Sequence, residues 1–367
     1  MIYNKYTLKE LATIRYGKNQ KNVVSSDGSF PIYGTGGLMG YASKYLYDKP
    51  SVLIGRKGTI DKVRYVTHPF WTVDTLFYTE INDAIVIPHF LYYVLSLLNL
   101  RKYNEGTSIP SLRIETLNRL ELYIPPLSEQ KKILSFIEPI EEKIDINSRI
   151  NRNLSEQASA YYENWKMSLT GEAVELSKVI DVRDGTHASP KPQDEGYPLV
   201  TSKHLFEYDV DLESPNKISQ DDYDKTNERS KVEYHDVLMS MIGTVGVVSF
   251  ISRQEINFAI KNVALFRTSQ REELAYYVLL FLKSKDTKQY IKSCMAGSTQ
   301  QYISLTELRK IPIIVPGEEI KEFNLVIKPI IDMICANVIE NRRLSELRDT
   351  LLPKLMSGEL DVSDLDI

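Results

Sequence analysis

Basic, amide and hydroxyl side chains collect on short glycine-bearing segments of this chain, and such side chains bind phosphates and base edges. Arg56 and Lys57 stand between Gly55 and Gly58, with Thr59 next, directly after an apolar run. This compact basic turn can approach a phosphate closely or reach a base edge; a solvated hairpin is the plain alternative. Thr186 and His187 follow Asp184-Gly185, and Ser202 and Lys203 lie in a second polar segment, Thr201-Ser202-Lys203-His204. Thr299, Gln300, Gln301 and Tyr302 form a segment rich in amides and hydroxyls, the groups that read adenine edges and phosphates. The first half of the chain has Thr107 and Ser108 at the matching place, with Ile109-Pro110 where the glutamines stand. Lys18, Lys21, Lys44, Lys191 and Thr244 complete the set of candidate nucleic-acid contacts.

Catalytic chemistry has no comparable footing. There is no GxxxxGK[ST] phosphate loop, since residues 55–59 are too short and in the wrong order. The glycines at 34, 36 and 37 lack the strand–helix context and downstream acid of a dinucleotide site. Pro125-Pro126 is followed by Leu127 rather than the aromatic of an amino-methyltransferase motif, and reads as a helix entry. The five histidines are scattered without an HxH or HxxxH pair, and His187 and His204 fall in turn-like segments. Cys294 and Cys335 alone cannot build a disulfide framework or a CxxC metal site. The expectation is a binding protein with no catalytic residues, no metal and no cofactor.

The elements that must position these loops come from a tandem repeat. Residues 8–17 (LKELATIRYG) align with residues 176–185 (LSKVIDVRDG), and Tyr92-Tyr93-Val94-Leu95 recurs unchanged as Tyr276-Tyr277-Val278-Leu279. Residues 106–125 match residues 297–316 at a constant offset. An acidic, turn-rich stretch, residues 207–228, is extra in the second copy and reads as a loop insertion. Two copies make a duplication, since a solenoid needs three or more. Runs at 51–55, 236–241, 245–251 and 311–315 read as strands, and 88–98 and 272–284 as helices with Pro88 in a first turn. The fold class is therefore α+β, with mixed bodies over residues 1–126 and 173–316.

Each body is followed by a long polar segment, residues 127–172 and 317–359, with an acidic tail at 360–367. Beyond Gly317, Gly and Pro are sparse in these segments: Pro139 and Pro329, read as first-turn residues, and Pro353 near the end precede Gly171 and Gly358, where C-terminal caps belong. Positions 137, 140, 144, 147, 151, 154, 158, 161 and 165 read Ile, Ile, Ile, Asn, Asn, Leu, Ala, Tyr, Trp. Positions 327, 330, 334, 337, 341, 344, 348, 351 and 355 read Ile, Ile, Ile, Asn, Asn, Leu, Arg, Leu, Leu. The alternating steps of three and four are a heptad seam in both copies. Asn147, Asn151, Asn337 and Asn341 fall in it, where a slipped pairing would strand their amides. Roughly 30 residues give about 45 Å of helix, more than a small body covers. The two helices are thus expected to pair antiparallel with each other; the alternative is that each packs only on its own body.

The formal net charge of −4 speaks against nucleic acid only until it is divided. Residues 1–126 carry +5, residues 127–172 carry −2, residues 173–316 carry −2 and residues 317–367 carry −5. Without residues 207–228 the second body carries +4. Both bodies are mildly basic, as modules that meet phosphates are. The most apolar run, residues 90–98, is far short of the roughly 20 residues of a membrane span. The opening MIYNKYTLKE lacks the apolar core of a signal peptide.

The whole pattern resembles one family. Body–helix–body–helix order, the helix entry IPPLSEQKKI and the closing LLPKLMSGEL are similar to the specificity subunit of type I restriction–modification systems. PIYGTGGLMGY, VLIGRKGTI, DGTHASP and GSTQQYISL resemble recurrent segments of its target-recognition domains. The resemblance implies two target-recognition domains joined by a long antiparallel two-helix coiled coil with a pseudo-twofold axis. Each domain would read one half of a bipartite site in double-stranded DNA, with the helices setting the spacing. It also implies a cytoplasmic complex with two S-adenosylmethionine-dependent methylation subunits that modify adenine N6, and with restriction subunits. The first copy starts close to Met1 and the tail is acidic, so contacts made through the termini are left unassigned. A coiled-coil scaffold that binds protein rather than DNA stays open as the alternative, and a self-contained methyltransferase is disfavoured by the missing motifs.

Overall fold

The computed structural model describes residues 3–297 and 301–362. The chain divides into two compact units, one made of residues up to Lys143 with those from Leu344 onward, the other of Ile144–Arg343. Each unit therefore contains one globular body, the root of one long helix and the far end of the other.

In the first unit an antiparallel four-stranded sheet has the order Ala12–Tyr16, Leu76–Ile81, Ser51–Gly55, Val63–Val66. The strand Ser51–Gly55 (SVLIG) is buried at every residue, as a central strand covered on both faces must be. A three-stranded sheet follows, Gly37–Ala42, Phe30–Gly34, Trp71–Thr72, whose last pair is parallel. Asn4–Thr7 pairs with Glu121–Ile124 and closes the body at the foot of the first long helix. The second unit repeats this plan. Its four-stranded sheet runs Val182–Asp184, Val263–Phe266, Val237–Ser240, Val248–Phe250. Its three-stranded sheet runs Lys217–Ile218, Tyr197–Val200, Ala259–Ile260, again with a parallel last pair. Val174–Glu175 with Pro312–Ile313 closes the body. Helices Pro88–Ser96 and Ala275–Lys283 pack on the matching sheets, and Pro88 sits in the first turn.

The extra stretch of the second copy is not a loop. Residues 207–228 supply the hairpin partner Asp209–Val210, the strand Lys217–Ile218 and most of the helix Gln220–Ser230. Lys217–Ile218 takes the edge that Gly37–Ala42 occupies in the first body. Tyr208, Val210 and Ile218 are buried within this stretch. Eight acidic residues concealed these few apolar anchors, yet a start signal was present: Ser219 Oγ accepts from the Asp222 backbone N–H at 3.2 Å.

The long helices are Leu127–Trp165 and Ile320–Ser357, 39 and 38 residues, each about 58 Å long. Both begin earlier than their prolines suggested, so Pro139 and Pro329 are interior, on exposed faces. The first ends in a 3-10 turn, Lys166–Ser168, and Gly171 lies beyond it at φ +129°, outside the cap position. Gly358 follows Ser357 directly at φ +77°, as a cap glycine does. Every seam position is buried or half-buried. In the first unit Ile133, Leu134 and Ile137 share a core with Leu352 and Leu355 of the other helix. In the second, Ala158 and Tyr162 share one with Phe323, Ile327, Ile331 and Ile334. The helices pair antiparallel within each unit and also pack on the body, so the two expectations for them combine. Among the described residues no helix is long and apolar enough to cross a membrane.

Candidate nucleic-acid interface

In the first unit the basic turn is built by backbone geometry. A Cβ on Gly55 would lie 2.0 Å from Thr59 O, so the turn closes only with glycine there. Arg56 N–H and Lys57 N–H donate to Thr75 O at 2.8 and 3.2 Å, and Gly58 N–H donates to Pro110 O at 2.9 Å. Leu112 N–H donates back to Arg56 O at 2.9 Å. These bonds, with the bridge between Lys57 and Ser111, tie the loop that carries exposed Thr107 and Ser108 to the turn. Arg56 is half-buried: Nη1 donates to Asp74 O at 2.9 Å and the guanidinium lies 5.1 Å from the ring centre of exposed Tyr16. Exposed Lys18 follows Tyr16 by two residues and is fixed by its N–H to Thr72 O at 2.8 Å. Lys21 and Lys44 are not part of this group. They flank the Ser43–Val23 link at the base of the hairpin that starts with Phe30–Gly34, five residues or about 17 Å from its tip. Arg64, not singled out from the sequence, is exposed and lies over Tyr33 near that tip, 5.7 Å from the ring centre. Its signal was the alternation of the strand Val63–Val66.

The second unit repeats the backbone bonds with other side chains. Gly243 N–H donates to Gln301 O at 3.0 Å, and Ile303 N–H to Met241 O at 3.0 Å, matching Gly58–Pro110 and Leu112–Arg56 under the repeat. Gln301 and Tyr302 are exposed there, whereas Thr299 and Gln300 lie outside the described residues. A cleft of about 450 Å³ beside Gly243 is lined by Ser202, Lys203, Thr244 and Asn262. Thr186 and His187 stand at the end of Val182–Asp184, where a Cβ on Gly185 would lie 2.2 Å from Ile260 O. His187 Nδ1 is 2.7 Å from Asn262 Oδ1 and Nε2 is 2.9 Å from Asp184 Oδ2. Asp184 is buried, and Arg229 of the extra helix pairs with its other oxygen. The imidazole, exposed at its edge, is thus held at a fixed angle by groups far away in sequence. Asn262 (φ +52°) and Arg229 escaped the sequence reading, since Asn262 stands 75 residues from its partner, and Asp184 was named only as part of the loop, without its bracing role. Lys191 lies with Lys203 on a neighbouring hollow.

Along the helices, Asn147 Nδ2 donates to Asn341 Oδ1 at 2.9 Å and to Glu340 at 2.7 Å. Asn337 Nδ2 donates to Asn151 Oδ1 at 2.8 Å, and Asn151 Nδ2 to Ile334 O at 3.2 Å. The four seam asparagines therefore meet as cross-helix pairs inside the second unit. Slipping either helix by one turn would strand these amides.

Comparison with known proteins agrees with this plan. The family model of the type I restriction modification DNA specificity domain matches the chain twice, over residues 3–156 and 170–347. The MjaIX type I restriction enzyme specificity subunit of Methanocaldococcus jannaschii is 25% identical over 356 residues, covering 87% of this chain and 80% of its own. The HindI specificity subunit of Haemophilus influenzae is 25% identical over 371 residues, covering 77% and 79%. The crystal structure of a type I restriction–modification S subunit from M. genitalium matches with a TM-score of 0.60 at 18% identity, covering 96% of each chain, which shows a shared fold. With one matched segment on each copy of the repeat, the chain belongs to the type I restriction modification DNA specificity domain family.

Proposed function

We propose that this chain is the DNA sequence-recognition subunit of a type I restriction–modification complex, each body reading one half of a bipartite site. The observation that supports it best is the double family match, in step with a repeat whose backbone bonds recur and whose loop side chains differ. Two readers on one face of a duplex want centres about one helical turn, roughly 34 Å, apart, and a 39-residue helix is long enough to span that. The helices are the ruler, with Asn147, Asn151, Asn337 and Asn341 holding its register. Contacts are assigned to Lys18, Arg56, Lys57, Thr59, Thr107 and Ser108 in the first body. In the second they are assigned to Thr186, His187, Lys191, Ser202, Lys203, Thr244 and the segment 299–302. Catalysis belongs to partners: two S-adenosylmethionine-dependent methylation subunits acting on adenine N6 and ATP-driven restriction subunits, in the cytoplasm. Methylome mapping of a host expressing the chain with its methylation partner tests this. A bipartite methylated motif is expected; methylation without one, or no sequence-selective retention of DNA in a gel shift, would leave the protein-binding scaffold standing instead. Replacing Gln300 and Gln301 with Ala is expected to relax one half-site only, and an unchanged motif removes them.

A further inference from the structure

Beside the cleft that holds Ser202 and Thr244, the second unit has another hollow of about 460 Å³. Lys191, Lys203 and Lys261 line it together with Ser189, Asn216 and His204, and no carboxylate is among the described residues that form its wall. Lys261 Nζ donates to Ser189 Oγ at 2.6 Å, while Lys191 and Lys203 are exposed. Three ammonium groups on one hollow repel each other, and an anion among them removes that repulsion.

His204 lies in the wall of the same hollow. It is 3% exposed, and its Nδ1 accepts from the Thr201 backbone N–H at 2.9 Å. Burial first, and Lys203 next, hold its pKa below the usual histidine value, so the ring is neutral near pH 7. A neutral ring that accepts at Nδ1 carries its proton on Nε2. That N–H is buried and has no hydrogen-bond partner among the described residues, an arrangement a fold tolerates at a cost. Asp211, the carboxylate whose charge it feels, is taken up by Ser214 and by the backbone N–H groups of Glu213 and Ser214.

Resting on the DNA-reading role above, we propose that this hollow seats a phosphoryl group of the DNA backbone, with the three lysines around it and the buried His204 ring in its wall. A phosphate fixed in this way sets the register of the second body on the duplex and carries no sequence information itself. Among the described residues the first body has no counterpart. The repeat places Gly34–Gly37 where residues 201–204 stand, and Val73 where Lys261 stands; both Val73 N–H and Lys261 N–H donate to the matching strand, at Tyr33 O and Val200 O.

The test uses the complex assembled with its methylation subunits, wild type against the double variant Lys203→Gln, Lys261→Gln, on cognate and random duplexes across a salt series. Affinity for both duplexes is expected to fall by the same factor, roughly tenfold. The log–log salt slope should become shallower by about one per lost phosphate contact. The methylated motif should not change. In a second arm, inorganic phosphate is titrated into the full chain while the His204 ring N–H is followed by nitrogen NMR. A saturable displacement is expected in the wild type and none in the double variant. Unchanged affinity and slope overturn the DNA contact, a changed motif overturns the phosphate assignment in favour of base reading, and a resonance indifferent to phosphate overturns the anion site. If the wild-type complex shows no preference for any duplex, the sequence-reading role fails, whereas the phosphate arm still reports on the hollow.

Discussion

At the turn after the central strand, the two bodies make the same backbone bonds and display different side chains. Gly58 to Pro110 and Leu112 to Arg56 in the first become Gly243 to Gln301 and Ile303 to Met241 in the second. What those bonds display differs: a basic turn stacked on Tyr16 in one, an imidazole braced by Asp184 and Asn262 in the other. The roots of the long helices differ too. Gln130 is buried in the first, its amide accepting from Ile87 N–H at 2.8 Å and donating to Ile85 O and Pro125 O. Ile320 stands at the matching place in the second, over a nest of aromatic rings around Phe323. Glycines and main-chain bonds define the scaffold, so display residues can change without disturbing it. Two readings can therefore diverge on one plan.

The largest expected effect tests the scaffold. Phe323 is fully buried against Trp165, Tyr161, Tyr162 and Tyr277, so Phe323→Ala should cost the second unit about 3–5 kcal/mol. Ile133→Ala at the matching place should cost the first about 2–5 kcal/mol. Denaturant unfolding followed by hydrogen exchange would assign each loss to its unit. A Phe323→Ala loss spread equally over both would break the picture of two separately cored bodies.

The braced imidazole comes next. Arg229→Ala removes the exposed partner of buried Asp184 and should weaken the second half-site by about 1–3 kcal/mol. The first half-site should be untouched. Binding to duplexes altered in one half-site at a time reads this out, and equal loss at both would show that the extra helix supports the chain as a whole.

How far the sequence carried this picture follows from what sequence encodes locally. The repeat, the heptad seam and the strands were legible because they rest on apolar spacing. Residues 207–228 were not, because Val210, Ile218 and Tyr223 are sparse among acids and their burial depends on edges formed by Tyr197–Val200 and Ala259–Ile260. Arg56, Lys57, Thr107 and Ser108 were found separately by residue type, but the joining of their two segments depends on the Gly58 to Pro110 bond. Lys21 and Lys44 have the same chemistry and fall elsewhere, since charge alone does not encode place.

A smaller effect separates the units by pH. His89 stacks between Tyr65 and Tyr93, with Tyr92 beside them. Its nitrogens face Glu138 and Glu141 at 2.9 and 3.4 Å, and Arg348 of the other helix lies 3.8 Å from Glu141. Burial alone would lower the pKa of His89, but the hydrogen bonds of Glu141 and Glu138 outweigh it and raise it. A histidine raised in the folded state stabilises fully below its unfolded pKa, about 6.5, and that stability is lost as pH rises through the folded value. The first unit should therefore weaken as pH rises above about 6.5. The second should respond less there. His204 and His235 are lowered by burial, so both are already neutral in that range, and Asp236, pushed up to about 6 by burial, completes its ionisation at the lower edge of it. His89→Gln should cost about 1–2 kcal/mol at low pH and abolish the response. Unit-resolved exchange at several pH values measures it; a response that persists in the variant would assign it to another group.

The smallest effect sharpens the contrast between the two displays. Arg56 is steadied by Asp74 O and by the face of Tyr16, so only part of its guanidinium remains to contact DNA. Arg56→Ala should weaken binding by about 1 kcal/mol, and the salt slope should fall by about one if the contact is a phosphate. Arg56→Lys separates the possibilities: a lysine keeps the charge, loses the planar fork and stacks less well. Restored slope with restored affinity identifies a phosphate. Restored slope with lasting relaxation at one base pair identifies a bidentate base contact. His187→Ala in the second body should relax its half-site with little change of slope, since both its ring nitrogens are already engaged by Asn262 and Asp184. Equal slope changes at Arg56 and His187 would mean that both bodies bind by charge alone, whereas unchanged affinity of Arg56→Ala across the salt series removes Arg56 from the interface.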